Sequence, residues 1–212
     1  MQVSRLLQRI ARKDSNKEKI AEEVLLSPVM LTEIMAGVRA EKSSVRFGCS
    51  KILRLISEKA PALLYPHMDF FVRLAGDQNT FLRMDAARVI GNLTVVDFDG
   101  KFERIFEEYF APIRGPAMIP AANIIGTAAK IAAAKPSLAD RIAGEILKVE
   151  RAEYATGECR NVALGHAIQS FDLFFELIQD KASVSRLVKK QLQNPRVATR
   201  KKAEAFVRKH GL

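Results

Sequence analysis

Apolar residues recur along this chain at the three- and four-residue spacing of an amphipathic helix, and the alternations typical of strands are missing. Phe70, Phe71 and Leu74 form one such helical stripe. Comparable stripes predict one class of short helices near residues 29–38, 67–74, 102–110, 141–149 and 184–192. The pattern therefore predicts an all-α fold.

A second pattern repeats between these stripes. Segments that join small residues to bulky aliphatic ones begin at Cys49, Ala86, Ala121, Ala163 and Ala203. The steps between them are 37, 35, 42 and 40 residues. Pro61 and Pro136 lie 75 residues apart, which is two periods, and proline suits the first turn of a helix. One helix pair cannot bury its own apolar face, whereas stacked pairs bury a continuous core.

We therefore predict a right-handed α-α superhelix, or solenoid, of about five helix-pair repeats within a single domain. The predicted units are 28–64, 65–100, 101–138, 139–179 and 180–212, preceded by N-terminal cap helices over 1–27. The N-terminal segment carries Val3, Leu6, Leu7 and Ile10 on one stripe, with basic residues elsewhere. Besides a cap, this composition also fits a membrane-surface or targeting helix.

The turns inside the repeats carry a further motif. Val45-Arg46 precedes the small residue Cys49, and the segment from Asp77 to Arg83 precedes Ala86. An aspartate in the turn, followed by Val-Arg and a small residue, resembles HEAT repeats and their armadillo-like relatives. The resemblance covers residues 28–211 and implies a curved array of helix pairs. It implies little about function, because scaffolds, transport receptors, lyases and glycosylases share this architecture.

The net charge of +10 is concentrated at the two ends of the chain. Residues 180–212 contain ten Lys and Arg against two acidic residues, and residues 1–19 contain six against two. Residues 20–179 contain eighteen against twenty. Because binding of nucleic acid depends on where charge lies, only the ends are candidates for it.

The last repeat supplies the main group of candidate binding residues, which are Lys189, Lys190, Arg196, Arg200, Lys201 and Lys202. A basic face of this kind fits an acidic partner such as nucleic acid, with steeply salt-dependent binding. The alternative is a polar end cap, which a solenoid needs for solubility.

Arginines form the second candidate group. Arg46 and Arg83 hold the same position in consecutive units, which predicts either a structural ladder between repeats or a basic row on the inner face. Arg88, Lys51 and Lys130 would extend such a row, although the middle of the chain is nearly neutral.

Residue types that would indicate catalysis or a cofactor do not form a recognised set. His67, His166 and His210 are isolated, and no glycine-rich phosphate loop or Gly-x-Ser-x-Gly motif occurs. Cys49 and Cys159 are 110 residues apart, which favours free thiols in a reducing, cytoplasmic setting. We therefore expect no metal, no cofactor and no enzymatic activity, and no apolar run reaches the roughly 20 residues of a membrane span.

The sequence favours a non-catalytic scaffold or adaptor that binds a protein partner. The alternative is a nucleic-acid-binding HEAT-like protein, similar in repeat type to the bacterial alkylpurine DNA glycosylases. That resemblance implies tryptophans and an aspartate in the groove, and this chain has no Trp. Binding to the backbone of a nucleic acid without catalysis therefore remains an alternative, while glycosylase catalysis is disfavoured.

Overall fold

The computed structural model describes residues 4–212, and this range contains α-helices and short 3-10 turns but no strand. Contacts divide the chain into two compact units, Met1–Asp99 and Gly100–Leu212. The fold is all-α and solenoid-like, which confirms the prediction from the helical periodicity. Val3, which the sequence places in the N-terminal apolar stripe, lies outside the described residues.

The first unit alternates short and long helices. Its helices are α1 (Arg5–Ala11), α2 (Lys17–Leu26), α3 (Leu31–Gly37), α4 (Ser43–Lys59), α5 (Pro61–Leu64), α6 (Met68–Ala75) and α7 (Thr80–Leu93). The Asn16 and Asn79 side chains accept backbone N–H bonds at the starts of α2 and α7, which satisfies donors that a helix leaves unpaired. Pro61 opens α5, as its predicted place in a first helical turn requires.

The second unit continues the same alternation. Its helices are α8 (Lys101–Phe110), α9 (Met118–Ala134), α10 (Ala139–Leu147), α11 (Gly157–Phe174), α12 (Lys181–Lys190) and α13 (Val197–His210). Thr156 and Asp180 cap α11 and α12, and Pro136 opens the turn before α10. The short helices α8, α10 and α12 fall where the apolar stripes predict them.

Each unit has two layers of helices. In the first, α2 and the long helices α4 and α7 pack side by side, while α3 covers α4 and α6 covers α7. In the second, α9, α11 and α13 pack side by side, and α10 contacts α12. The core lies between the layers, where Phe71, Phe106 and Phe171 are almost fully buried. Burial of these faces by neighbouring pairs is the stabilisation that a repeat array needs.

The N-terminal helix belongs to this packing. Ile10 on α1 is fully buried and lies against Gly48 of α4, so close that a Cβ on Gly48 would meet the Ile10 Cγ2 at 2.5 Å. Ile10, from the apolar stripe of α1, is therefore used for contact with α4.

Buried hydrogen bonds join residues one repeat apart. The Asn92 amide donates to the Ser57 hydroxyl at 2.8 Å, 35 residues earlier in the chain. The Asn194 amide donates to the Asn161 side-chain oxygen at 3.1 Å, across 33 residues. Because buried polar groups must be paired, these bonds fix the register of one helix pair on the next.

A close approach of two helices in the second unit depends on glycine. A Cβ on Gly165 of α11 would lie 2.8 Å from the Thr199 hydroxyl of α13. That hydroxyl donates to the Asn161 carbonyl at 2.7 Å, so it cannot move without losing a bond. Gly126 on α9, in contrast, has open space around it.

Replacing Gly165 with alanine is expected to lower the free energy of unfolding by about 1–2 kcal/mol, because the added methyl group overpacks the α11–α13 contact. The matched change Gly126→Ala is expected to raise it by about 0.5–1 kcal/mol, since alanine favours a helix interior. Urea unfolding followed by circular dichroism measures both. Equal shifts of the same sign would contradict the close approach.

Candidate binding surfaces

Arg46 and Arg83 occupy equivalent, half-buried positions on α4 and α7. The Nε atom of each is shielded from solvent and has no hydrogen-bond partner within residues 4–212. The Arg46 guanidinium lies 5.1 Å from the centre of the Phe47 ring, and Arg83 donates from Nη2 to the Thr80 hydroxyl at 3.2 Å. Both side chains therefore lie partly inside the packing between repeats.

The ion pair between repeats at this turn is made by a different arginine. Arg39 Nη1 lies 2.6 Å from Asp77 Oδ2, and the other oxygen of Asp77 accepts the Asn79 backbone N–H at 2.8 Å. The turn aspartate of the HEAT-like motif thus joins α6–α7 to the end of α3. The sequence predicts such a ladder, or else a basic row, at Arg46 and Arg83, whereas this ion pair is made by Arg39. The sequence signal for the pair is the aspartate in the turn, Asp77.

Arg88 lies elsewhere on α7, on the solvent-facing stripe with Phe81 and Met84. Phe81 is 66% exposed, and its ring packs edge-on against Phe47 of α4 with 5.6 Å between the centres. Phe47, Phe81, Met84 and Arg88 are together called the Phe81 patch. Arg88 has no ion pair within the described part of the chain, whereas its repeat equivalent Lys51 pairs with Glu18 at 2.8 Å. Sequence reasoning missed Phe81, because its helical spacing resembles that of a core residue.

Several of the cations in the last repeat make contacts within the fold. Lys190 on α12 pairs with Glu150 at 2.5 Å, and Arg196 pairs with Glu158. Arg200 donates to the Asn194 carbonyl at 2.9 Å. The two ion pairs join the last helix pair to the preceding repeat and partly compensate the charges of Lys190 and Arg196, whereas the Arg200 bond lies within the last repeat.

The exposed side of α13 is basic along its length. Residues three and four apart share this side and are Ala198, Lys201, Lys202, Ala205, Arg208 and Lys209. We call these six residues the α13 basic face. Lys189, like Lys190, is on α12, which packs beside α10 in the other layer. The cations that are close in sequence therefore lie on two layers of the second unit.

Positive groups crowd one another beside this face. Burial, followed by the charge of Arg196, lowers the pKa of Lys202, whose Nζ donates to the Gln169 side chain at 3.0 Å. Burial also lowers the pKa of His166 on α11, and the charges of Lys202 and Arg196 lower it further. Positive charge is therefore concentrated at this part of the α11–α13 surface.

The end of α13 is fastened to α11 through Asp172. The Asp172 carboxylate lies 2.9 Å from Lys209 Nζ and 2.8 Å from His210 Nε2. The His210 ring packs between Phe175 and Phe206, with centres 4.5 and 4.4 Å away. Burial alone would raise the pKa of Asp172, but its hydrogen bonds with Lys209 and His210 outweigh burial and hold the pKa below its ordinary value.

Asp172→Asn is expected to lower the free energy of unfolding by about 1 kcal/mol at neutral pH, because Lys209 and His210 lose a charged acceptor. A carboxylate with a lowered pKa contributes stability above its ordinary pKa of about 3.9, and that contribution is lost as the pH falls through the lowered value. The difference between wild type and variant should therefore shrink toward pH 2.

Thermal unfolding between about pH 2 and 7 tests this dependence on a single carboxylate. Glu204→Gln, on the exposed part of α13, is the control and should leave the profile unchanged. A destabilisation by Asp172→Asn that persists undiminished at low pH would contradict the assignment.

No cluster of three metal-binding side chains occurs within residues 4–212. Both cysteines are free, and burial raises the pKa of Cys49 to about 12. None of the helices within the described range is long and apolar enough to cross a membrane.

These layers of stacked helix pairs define an armadillo- or HEAT-like helical repeat protein, which confirms the resemblance seen in the turn motif. No family model and no curated protein matches the chain. Among solved structures it is similar to the designed armadillo repeat protein YIII(Dq)4CqI, with a TM-score of 0.55. That similarity covers 96% of this chain and 90% of the designed protein at 15% sequence identity, so it shows the fold alone.

Proposed function

We propose that the protein is a non-catalytic interaction scaffold and that the Phe81 patch binds a protein partner. The observation that carries the proposal is the ring of Phe81, which stays 66% exposed while it is held edge-on against Phe47. Single exposed apolar residues are ordinary, but aromatic, methionine and arginine side chains grouped on one face are typical of interface centres.

The energetics of the Phe81 patch favour binding. Each square ångström of apolar surface removed from water contributes about 25 cal/mol, so an exposed phenylalanine is a strong anchor. Its contact with Phe47 restricts the Phe81 ring before a partner arrives, which reduces the entropy lost on binding. Arg88 adds an exposed cation two helical turns along the same stripe, which fits a partner with an acidic group beside an apolar one.

The remaining parts of the proposal concern organisation and setting. We propose the units 28–64, 65–100, 101–138, 139–179 and 180–212 as the repeats, because each contains a short helix followed by a long one. A reducing compartment such as the cytoplasm suits a chain whose Cys49 and Cys159 are unpaired. The proposed binding needs neither a metal nor an organic cofactor.

Phe81→Ser combined with Arg88→Glu is expected to reduce recovery of the partner at least about 10-fold, because truncation of an interface anchor costs about 2 kcal/mol or more. The measurement is quantitative affinity purification from cells of the source organism, with the wild-type chain and the variant as baits.

Phe98→Ser is the matched control, since Phe98 is also in the first unit and is 91% exposed, but lies in the link after α7. Recovery should be unchanged in this variant. If the double variant recovers the same proteins as the wild type, or if Phe98→Ser removes the same protein equally well, the Phe81 patch is not the binding surface.

A further inference from the structure

The α13 basic face has properties that the Phe81 patch lacks. Four of its six side chains are cationic, and the other two, Ala198 and Ala205, are exposed and small. The only carboxylate on α13 is Glu204, which flanks this face. The helix rises about 1.5 Å per residue, so the cations span about 12 Å along one side.

The charge of this face is only partly used by the fold. Lys201 and Arg208 are exposed, two helical turns apart, and neither has an ion pair or side-chain hydrogen bond within residues 4–212. Lys202 contacts the neutral Gln169, which leaves its charge uncompensated. Lys209 shares the single carboxylate of Asp172 with His210. An end cap requires polar residues, but it does not require one sign of charge.

The side chains of the α13 basic face suit one class of anionic partner better than others. Protein interfaces are centred on buried aromatic or aliphatic anchors, and none of the six residues of the α13 basic face is one, although the exposed Val197 flanks them. Single-stranded nucleic acid is held by aromatic rings that stack on bases, and these are absent from the six residues as well. Lysines and arginines on one small-residue surface are suited to the phosphates of a duplex, whose charges are closely spaced and need no apolar contact.

We propose that the α13 basic face is a second binding surface, which binds the phosphate backbone of double-stranded nucleic acid without reading its sequence. Lys201, Lys202 and Arg208 contact phosphate oxygens, and Lys209 joins them at the end of the helix. Ala198 and Ala205 let the duplex backbone approach the helix closely. Lys189 and Lys190 take no part, because α12 lies in the layer of α10 and not in that of α11 and α13.

Fluorescence anisotropy with a labelled duplex of about 20 base pairs tests the proposal through its salt dependence. Four phosphate contacts predict a slope of log K against log salt of about −3.6, so affinity should fall about 100-fold between 50 and 200 mM salt. Lys201→Gln with Arg208→Gln should halve that slope. Lys189→Gln with Lys190→Gln removes the same charge from α12 and should leave the slope unchanged. Circular dichroism establishes that both variants remain folded.

Competition experiments identify the class of anion. Unlabelled duplexes of unrelated sequence should displace the probe equally, while single strands and poly-glutamate of matched charge should compete less well. Absence of binding at 50 mM salt would overturn the proposal. Equal losses of affinity in the two double variants would also overturn it. If poly-glutamate competed as well as the duplex, the proposal would be overturned in favour of an acidic protein partner. None of these outcomes depends on the Phe81 patch, because affinity purification with the Phe81→Ser and Arg88→Glu double variant tests that surface separately.

Discussion

Within each of the two units, the side-by-side packing of long helices from successive repeats is the contact on which the rest of the structure depends. No single pair of helices encloses a core, so α4 needs α7, and α11 needs both α9 and α13. Gly165 allows the contact between α11 and α13 to close, and the buried bond from Asn92 to Ser57 fixes the register of α7 on α4. The small residues at helical spacing therefore recur in each repeat because close packing of the long helices requires them.

Stacking also decides how much charge is left for function. Carboxylates one repeat away compensate Arg39 and Lys190, because the regular stacking brings side chains about 35–40 residues apart to the same height. Such partly exposed pairs add little stability, but they withdraw charge from the surface. Cations outside these ladders, notably Arg88 and Lys201, are the ones that remain for a partner. A count of basic residues therefore overstates the binding surface.

The two proposed surfaces differ in chemistry as well as in place. The Phe81 patch combines an aromatic anchor with one cation, which suits the dry centre of a protein interface. The α13 basic face has charge and no anchor, which suits long-range attraction and contact with phosphates.

The sequence by itself determined the helices, their pairing and the solenoid-like class, because periodic burial is a local pattern of three- and four-residue steps. The helix starts at Pro61 and Pro136 and the turn at Asp77 were predictable from the sequence because they too depend on local patterns. Only the tertiary structure decided which side chains share a surface. It left Phe81 exposed, and it separated Lys189 on α12 from Lys201 on α13, although the two are twelve residues apart. Exposure and ion pairing depend on residues a full repeat away, and no local pattern contains that information.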